Sequence, residues 1–313
     1  MVAGPTLAER FNSLNVWKRG DARAPHKPLL VLLALGRLSR GQMDLPFADC
    51  DKYLTALLRE FGPPSKSLHP EFPFWWLQTD GLWEIDKDRP LQPRSGGRNP
   101  SKSELKDAHA RGHFPDDVRR ELVANPPLMA AVAQRVLDAH FPETLHGDIL
   151  SAVGLDLEAL RADATAEEFV KSERRRRDPA FRQEVLMAYQ YRCAVCGLDV
   201  RLGQLSVGLE AAHIKWHQAH GPDIVANGIS MCTLHHKLFD LGAFTLDPQG
   251  TAESAPGILV SEQVHGTTLF EHVLLRHHGQ RLGSPVRGEH LPRGEFVEWH
   301  RRQVFKPEAR QRA

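Results

Sequence analysis

The sequence has few cysteines and no long apolar run, and each shortage removes a class of protein. Four cysteines in 313 residues are too few for a disulfide framework on a chain of this size. No stretch approaches the roughly 18 consecutive apolar residues of a membrane-spanning helix. The first residues carry no basic segment followed by an apolar one, so neither a secretory leader nor a membrane partner is expected, and the expected compartment is the cytoplasm. Charge of one sign is lacking too: 40 Lys and Arg stand against 39 Asp and Glu, for a net charge of +1. Bulk charge therefore says nothing about nucleic acid. Hydrophobic residues at 41% and charged residues at 25% are globular values and exclude global disorder. The length fits two domains.

What positive charge there is gathers in one stretch. Lys171, Arg174, Arg175, Arg176, Arg177, Arg182 and Arg192 suit either phosphate contacts or a solvated basic linker. Before it, the chain reads as mainly helical. Leu7, Phe11 and Leu14 recur at helical spacing, and 28–38 is a strongly apolar helix opened by Pro28. The segment 47–61 sets Tyr53, Leu54, Leu57, Leu58 and Phe61 on one face and stops at Gly62. In the aromatic block 69–85, Thr79, Asp80 and Gly81 form a turn signal between two apolar runs, which predicts a β-hairpin. Ser101 and Glu104 make a capping box. Helices then follow over 116–124, 128–140 and 143–153, and Asp178 with Pro179 starts another. The expected architecture is α+β. A mainly helical domain with a short hairpin spans 1–155 and a basic linker 156–178. A second domain spans 179–275 and a C-terminal extension 276–313.

Three of the four cysteines lie in the second domain. Cys193 and Cys196 are spaced as one metal knuckle, and Cys232 and His235 as another. A two-residue gap turns both ligands of a knuckle toward one ion, and two knuckles complete a closed tetrahedral set. Three thiolates and an imidazole favour Zn2+, in a structural role. Cys50 stands apart and reads as a buried thiol without chemistry.

Between the knuckles lie His213, then Asn227, then His236. With the Ala212, His213, Ile214 strand, the Asn227, Gly228 loop and the run from Cys232 to Asp240, this region resembles the HNH endonuclease family. The resemblance covers roughly residues 179–250. It implies a β-hairpin followed by an α-helix around a catalytic divalent cation, Mg2+ or Mn2+. It also implies the roles: His213 as general base, Asn227 as the residue that holds the loop and orients His213, and His236 as metal ligand. Histidine suits the first role because it titrates near neutrality. Many members carry aspartate just before the base, where this chain has Ala212. Glu210, two residues earlier, shares a strand face with that position. The further ligand is therefore Glu210, or Asp240, or none.

The first domain carries Asn15, Val16 and Trp17, and then Arg23, His26, Lys27 and Pro28. Farther on come Phe61, Gly62 and Pro63, the segment from His69 to Trp75, Gly81 to Glu84, and Phe141 to His146. With these motifs it resembles the sulfur-binding domain of type IV restriction enzymes that attack phosphorothioate DNA. Sulfur is larger, softer and less hydrated than the oxygen it replaces, so a reader needs an apolar cup with cations beside it. The resemblance makes His69, Pro70, Phe72 and Pro73 the cup. Arg23, His26 and Lys27 are its charged partners, and Arg98, Lys102 and Arg111 are contacts to backbone or bases. The partner implied is double-stranded phosphorothioate DNA, with two copies of the chain acting together for double-strand cleavage. The competing expectations are an HNH nuclease that reads another mark such as a methylated base, and a DNA-binding regulator without catalysis.

Overall fold

The computed structural model describes residues 7–12, 14–16, 20–91, 99–162, 179–247 and 254–311. Trp17, Arg98, Lys171 and the arginines at 174–177 fall outside them. The chain divides into two compact units: Met1–Arg19 with Ala24–Arg174, and Gly20–Arg23 with Arg175–Ala313. No described helix is long and apolar enough to cross a membrane.

The first unit runs α1 (Leu7–Asn12), α2 (His26–Leu38), β1 (Leu45–Pro46), α3 (Phe47–Phe61), α4 (Glu71–Trp76), β2 (Glu84–Asp86), α5 (Lys102–Asp107), β3 (Arg111–His113), α6 (Asp116–Ala124), α7 (Pro126–His140), α8 (Glu143–Val153) and α9 (Leu157–Arg161). Its centre is α2, where Leu29, Leu30, Val31, Leu32 and Leu35 are wholly buried. A helix apolar on all sides must be enclosed on all sides, and α3, α4, α7 and α8 surround it. Ser101 caps α5 by accepting from the Glu104 amide, as its spacing predicts. Tyr53 departs from the expected apolar face of α3 and is exposed.

The hairpin expected over 69–85 is absent. Glu71–Trp76 is helical, a 3-10 turn follows over Leu77–Asp80, and Gly81 ends it at φ 67°. Pro70 precedes α4 and Pro73 lies in its first turn, where no helical amide is required of either. That placement outweighs the strand preference of the aromatic residues. Glu84–Asp86 does form a strand, but it pairs with β3 in an antiparallel sheet ordered β1-β3-β2. Within the stretch expected as linker, α9 is capped by Asp156 and packs on α7, where Arg161 reaches Gln134 at 3.2 Å.

The second unit runs α10 (Pro179–Ala188), β4 (Arg201–Leu202), β5 (Leu205–Ser206), β6 (Leu209–His213), β7 (Gly228–Cys232), α11 (Thr233–Asp240), β8 (Phe244–Leu246), β9 (Ile258–Val260), α12 (Thr268–Val273) and α13 (Gly294–Gln303). β6 and β7 pair in register from Leu209 opposite Cys232 to His213 opposite Gly228. Both α10 and α11 pack against this pair. The segment 276–313 is part of the same unit: Phe296, Val297, Trp299 and His300 are buried in it.

His300 shows how closely α13 is built in. Its Nε2–H donates to the Phe239 carbonyl at 3.1 Å, and its Nδ1 accepts from Thr245 Oγ1 at 2.9 Å. The ring stacks on Phe239 with centroids 3.7 Å apart. Both nitrogens are satisfied in the neutral form, and burial pushes the pKa down from 6.5 to about 3. The unfolded chain takes up this proton near pH 6.5 and the folded chain resists it. The contribution is therefore complete above that pH and is lost as pH falls toward 3, at about 1.4 kcal/mol per pH unit. Urea unfolding in zinc-containing buffer should show stability falling from pH 6.5 to 4.5, with a shallower fall for His300→Gln. Equal slopes for the two proteins would count against this role for His300.

Candidate functional site: a cysteine cluster and two histidine clusters

The four knuckle residues converge. The ligand atoms of Cys193, Cys196, Cys232 and His235 all lie within 4.8 Å of one another. Tetrahedral zinc with Zn–S bonds near 2.3 Å sets its sulfurs roughly 3.8 Å apart, so the donor set fits that ion. Among the described residues this is the one such cluster. The chain reaches it from two directions. Gly197 donates its amide to the Cys193 carbonyl at 2.8 Å, closing the first knuckle. Cys232 ends β7 and occupies the N-cap of α11, which places His235 in the first turn. His235 Nε2–H donates to the Val273 carbonyl at 2.9 Å, so Nδ1 is the ligating nitrogen, and it faces Cys232 Sγ at 3.1 Å. Nothing in the sequence marks Val273, because a carbonyl acceptor has no residue type.

His236, the next residue, points elsewhere. Its Nδ1 lies 2.6 Å from Glu210 Oε2, and its Nε2 lies 3.2 Å from Asp240 Oδ2. Burial alone would lower its pKa; the two carboxylates outweigh that and raise it to about 9. Asp240, one helical turn on, fixes the His236 ring from its Nε2 side. Glu210 and His236 Nδ1 thus set an oxygen and a nitrogen donor side by side, a pair of the kind that would hold a divalent cation.

His213 belongs to a separate group. It is the last residue of β6, and strand alternation turns it away from the face of Glu210 and Ala212. Its ring stacks on Phe181 of α10 with centroids 4.1 Å apart. Its Nε2 lies 2.7 Å from Asp223 Oδ1, and the ring of His217 is 6.2 Å away. No sequence signal sets Asp223 apart: it is one aspartate in a loop.

Asn227 holds that loop. It is fully buried. Its Oδ1 accepts from the Lys215 amide at 2.9 Å, and its Nδ2 donates to the carbonyls of Lys215 at 3.0 Å and Pro222 at 2.9 Å. Two glycines leave the necessary room. A Cβ on Gly221 would strike the Lys215 carbonyl, and one on Gly228 would strike Val185 and Phe181. Lys215 also pairs with Asp21 at 2.7 Å.

Arg23, expected beside the sulfur cup, lies in the second unit. Its guanidinium covers the Trp216 ring at 3.9 Å and donates to the Gln303 carbonyl at 2.9 Å. Arg182, from the basic stretch, donates to the Leu209 carbonyl at 2.9 Å.

In the first unit, His69 is half-buried and Phe72 exposed, their rings stacked 4.7 Å apart. Pro70 and Pro73 are buried. His69 Nδ1 meets Glu71 Oε1 at 3.0 Å and its Nε2 meets Ser67 Oγ at 2.7 Å. His26 is close enough that His69 adds to burial in lowering its pKa. Lys27 is tied to buried Asp80, which also accepts from the Asn15 amide at 2.8 Å. Lys102 pairs with Asp51 at 2.9 Å, while Arg111 lies loosely beside Asp44 and Asp88. Arg98 is outside the described residues.

Comparison with known proteins agrees with this division. Residues 5–158 match the family described as ScoMcrA-like, DNA sulfur-binding domain. Residues 193–247 match the HNH endonuclease family and include all four knuckle residues with His213, Asn227 and His236. No curated protein matches. Among solved structures, the sulfur-binding domain of ScoMcrA complexed with phosphorothioated DNA is 23% identical, covering 51% of this chain and 100% of that one, with a TM-score of 0.43. The sulfur-binding domain of SprMcrA in a like complex is 22% identical, covering 47% and 91%, at 0.41. The type IV phosphorothioation-dependent restriction endonuclease ScoMcrA is 23% identical over 50% of this chain, at 0.41, and the match spans only 29% of its length.

Two outcomes follow from the geometry. Purified protein should carry one tightly held zinc per chain by elemental analysis, and its removal by chelation should lower the unfolding temperature; zinc-free protein of unchanged stability would refute the knuckle. Asn227→Ala removes three buried hydrogen bonds and should cost about 2–4 kcal/mol in denaturant unfolding.

Proposed function

We propose that this chain, a DNA endonuclease with an HNH domain behind a ScoMcrA-like sulfur-binding domain, cuts DNA that its first unit selects by a phosphorothioate. One coincidence supports the reading: a sulfur-binding match and an HNH match with His213, Asn227 and His236 all present occur in one chain. The work would be cytoplasmic, against DNA bearing the mark.

In the first unit the exposed Phe72 and half-buried His69 offer sulfur a soft, weakly hydrated surface next in sequence to Pro70 and Pro73, with His26 near His69. A phosphate oxygen in the same place would lose hydration without an equal return. In the second unit His213 takes the proton from the attacking water. Asn227 keeps the loop beside it in one conformation, and Cys193, Cys196, Cys232 and His235 hold zinc as a structural ion. Glu210 and His236 would hold Mg2+ or Mn2+, which when bound stabilises charge on the phosphate and the departing 3′ oxygen. The products are a 5′-phosphate and a 3′-hydroxyl. Cutting both strands calls for two copies, each supplying one set of these residues.

Matched duplexes of one sequence, with and without a single phosphorothioate, provide the test in Mn2+ or Mg2+. The marked duplex should bind at least tenfold more tightly and be cut in preference, and His213→Ala should abolish cutting while leaving binding intact. Equal affinity for the two duplexes would remove the reader assignment. Undiminished cutting by His213→Ala would remove the base assignment.

A further inference from the structure

The loop between β6 and β7 is built around one carboxylate. Asp223 Oδ1 lies 2.7 Å from His213 Nε2, and the residue before it, Pro222, is fixed through its carbonyl by the buried Asn227 amide at 2.9 Å. Gly221, one residue earlier, packs so tightly on Lys215 and Asn227 that a side chain has no room. Phe181 fixes the plane of the His213 ring from its face. The stack sets the tilt of the ring, and the carboxylate sets its rotation within that plane. In the second unit, the further titratable ring near His213 is that of His217, at 6.2 Å.

We infer that Asp223 is the positioning carboxylate of His213: it holds the ring proton on Nε2, so that Nδ1 is the basic nitrogen, and it stabilises the imidazolium once formed. This rests on the assignment of His213 as general base. In the step it serves, an attacking water gives its proton to His213 Nδ1 and its oxygen bonds to phosphorus. The bond from phosphorus to the 3′ oxygen breaks, and that oxygen takes a proton from solvent. Asp223 exchanges no proton. It lowers the free energy of the charged ring, as an aspartate does behind a histidine base in hydrolases. The arrangement is the general one of a base oriented by a third group.

The test uses the full-length protein, a duplex carrying one phosphorothioate, Mn2+ and saturating protein, so that one turnover is read. Asp223→Asn preserves the side-chain shape and removes its charge; Asp223→Glu keeps the charge. Asp223→Asn should cut about 100-fold more slowly, with duplex affinity, zinc content and unfolding temperature unchanged. Asp223→Glu should recover at least tenfold of that loss. On a His213→Ala background, Asp223→Asn should slow any residual cutting by less than twofold, because the two residues act as one unit. Cutting by Asp223→Asn within threefold of the parent, or a full further loss on the His213→Ala background, overturns the inference and leaves the base assignment standing. Cutting by His213→Ala at the parent rate overturns both.

Discussion

Cys232 is the residue on which the second unit turns. It is the last residue of β7, the N-cap of α11 and a member of the Cys3His cluster at once. An ion held by the cluster would fix where α11 starts and its rotation about its own axis. Consecutive residues on a helix point about 100° apart. With His235 tied to the knuckle, His236 is thereby turned away from it, toward Glu210 on β6. Both histidines then use the same device: Nε2–H donates to an oxygen behind the ring, Val273 in one case and Asp240 in the other, and Nδ1 faces the ligand position. The cysteine cluster thus orients His236 toward Glu210 without touching either.

What the sequence makes legible is what is local. The knuckles are spacing, and spacing survives folding. The burial of α2 follows from a run of leucines no exposed helix would carry. The cap of α5 needs only two residues three apart. The block at 69–85 departs from the expected hairpin because its composition and its prolines pull in opposite directions, and first-turn prolines decide for helix. The turn at Gly81 is real, but it closes a helix and not a hairpin.

Long-range partners left no mark. Asp223, Val273 and Thr245 are common residues whose roles exist only once His213, His235 and His300 are folded against them. Arg23 is a different case. Its closeness in sequence to His26 and Lys27 suggested one cationic group, yet the chain changes units between Arg23 and Ala24. Its guanidinium is instead spent on Trp216 and Gln303. Lys27, still in the first unit, is anchored to buried Asp80 and so helps to hold the 3-10 turn in place.

The two faces of the β6–β7 pair impose a last constraint. Glu210 and His236 lie on the side of α11, while His213 turns toward α10 and Phe181. Groups on opposite faces of a pleated pair are separated by the backbone itself along its length. They can serve a single phosphate only beyond its end, and His213 is the final paired residue of β6. Opposite it is Gly228, where a side chain would collide with Phe181 and Val185. The absence of that side chain lets α10 come close enough to stack on the histidine ring at the hairpin's open end. Histidine, clamp and glycine are therefore one arrangement, and the Asn227, Gly228 pair is adjacent in sequence because the clamp and the clearance are needed at the same turn of the chain.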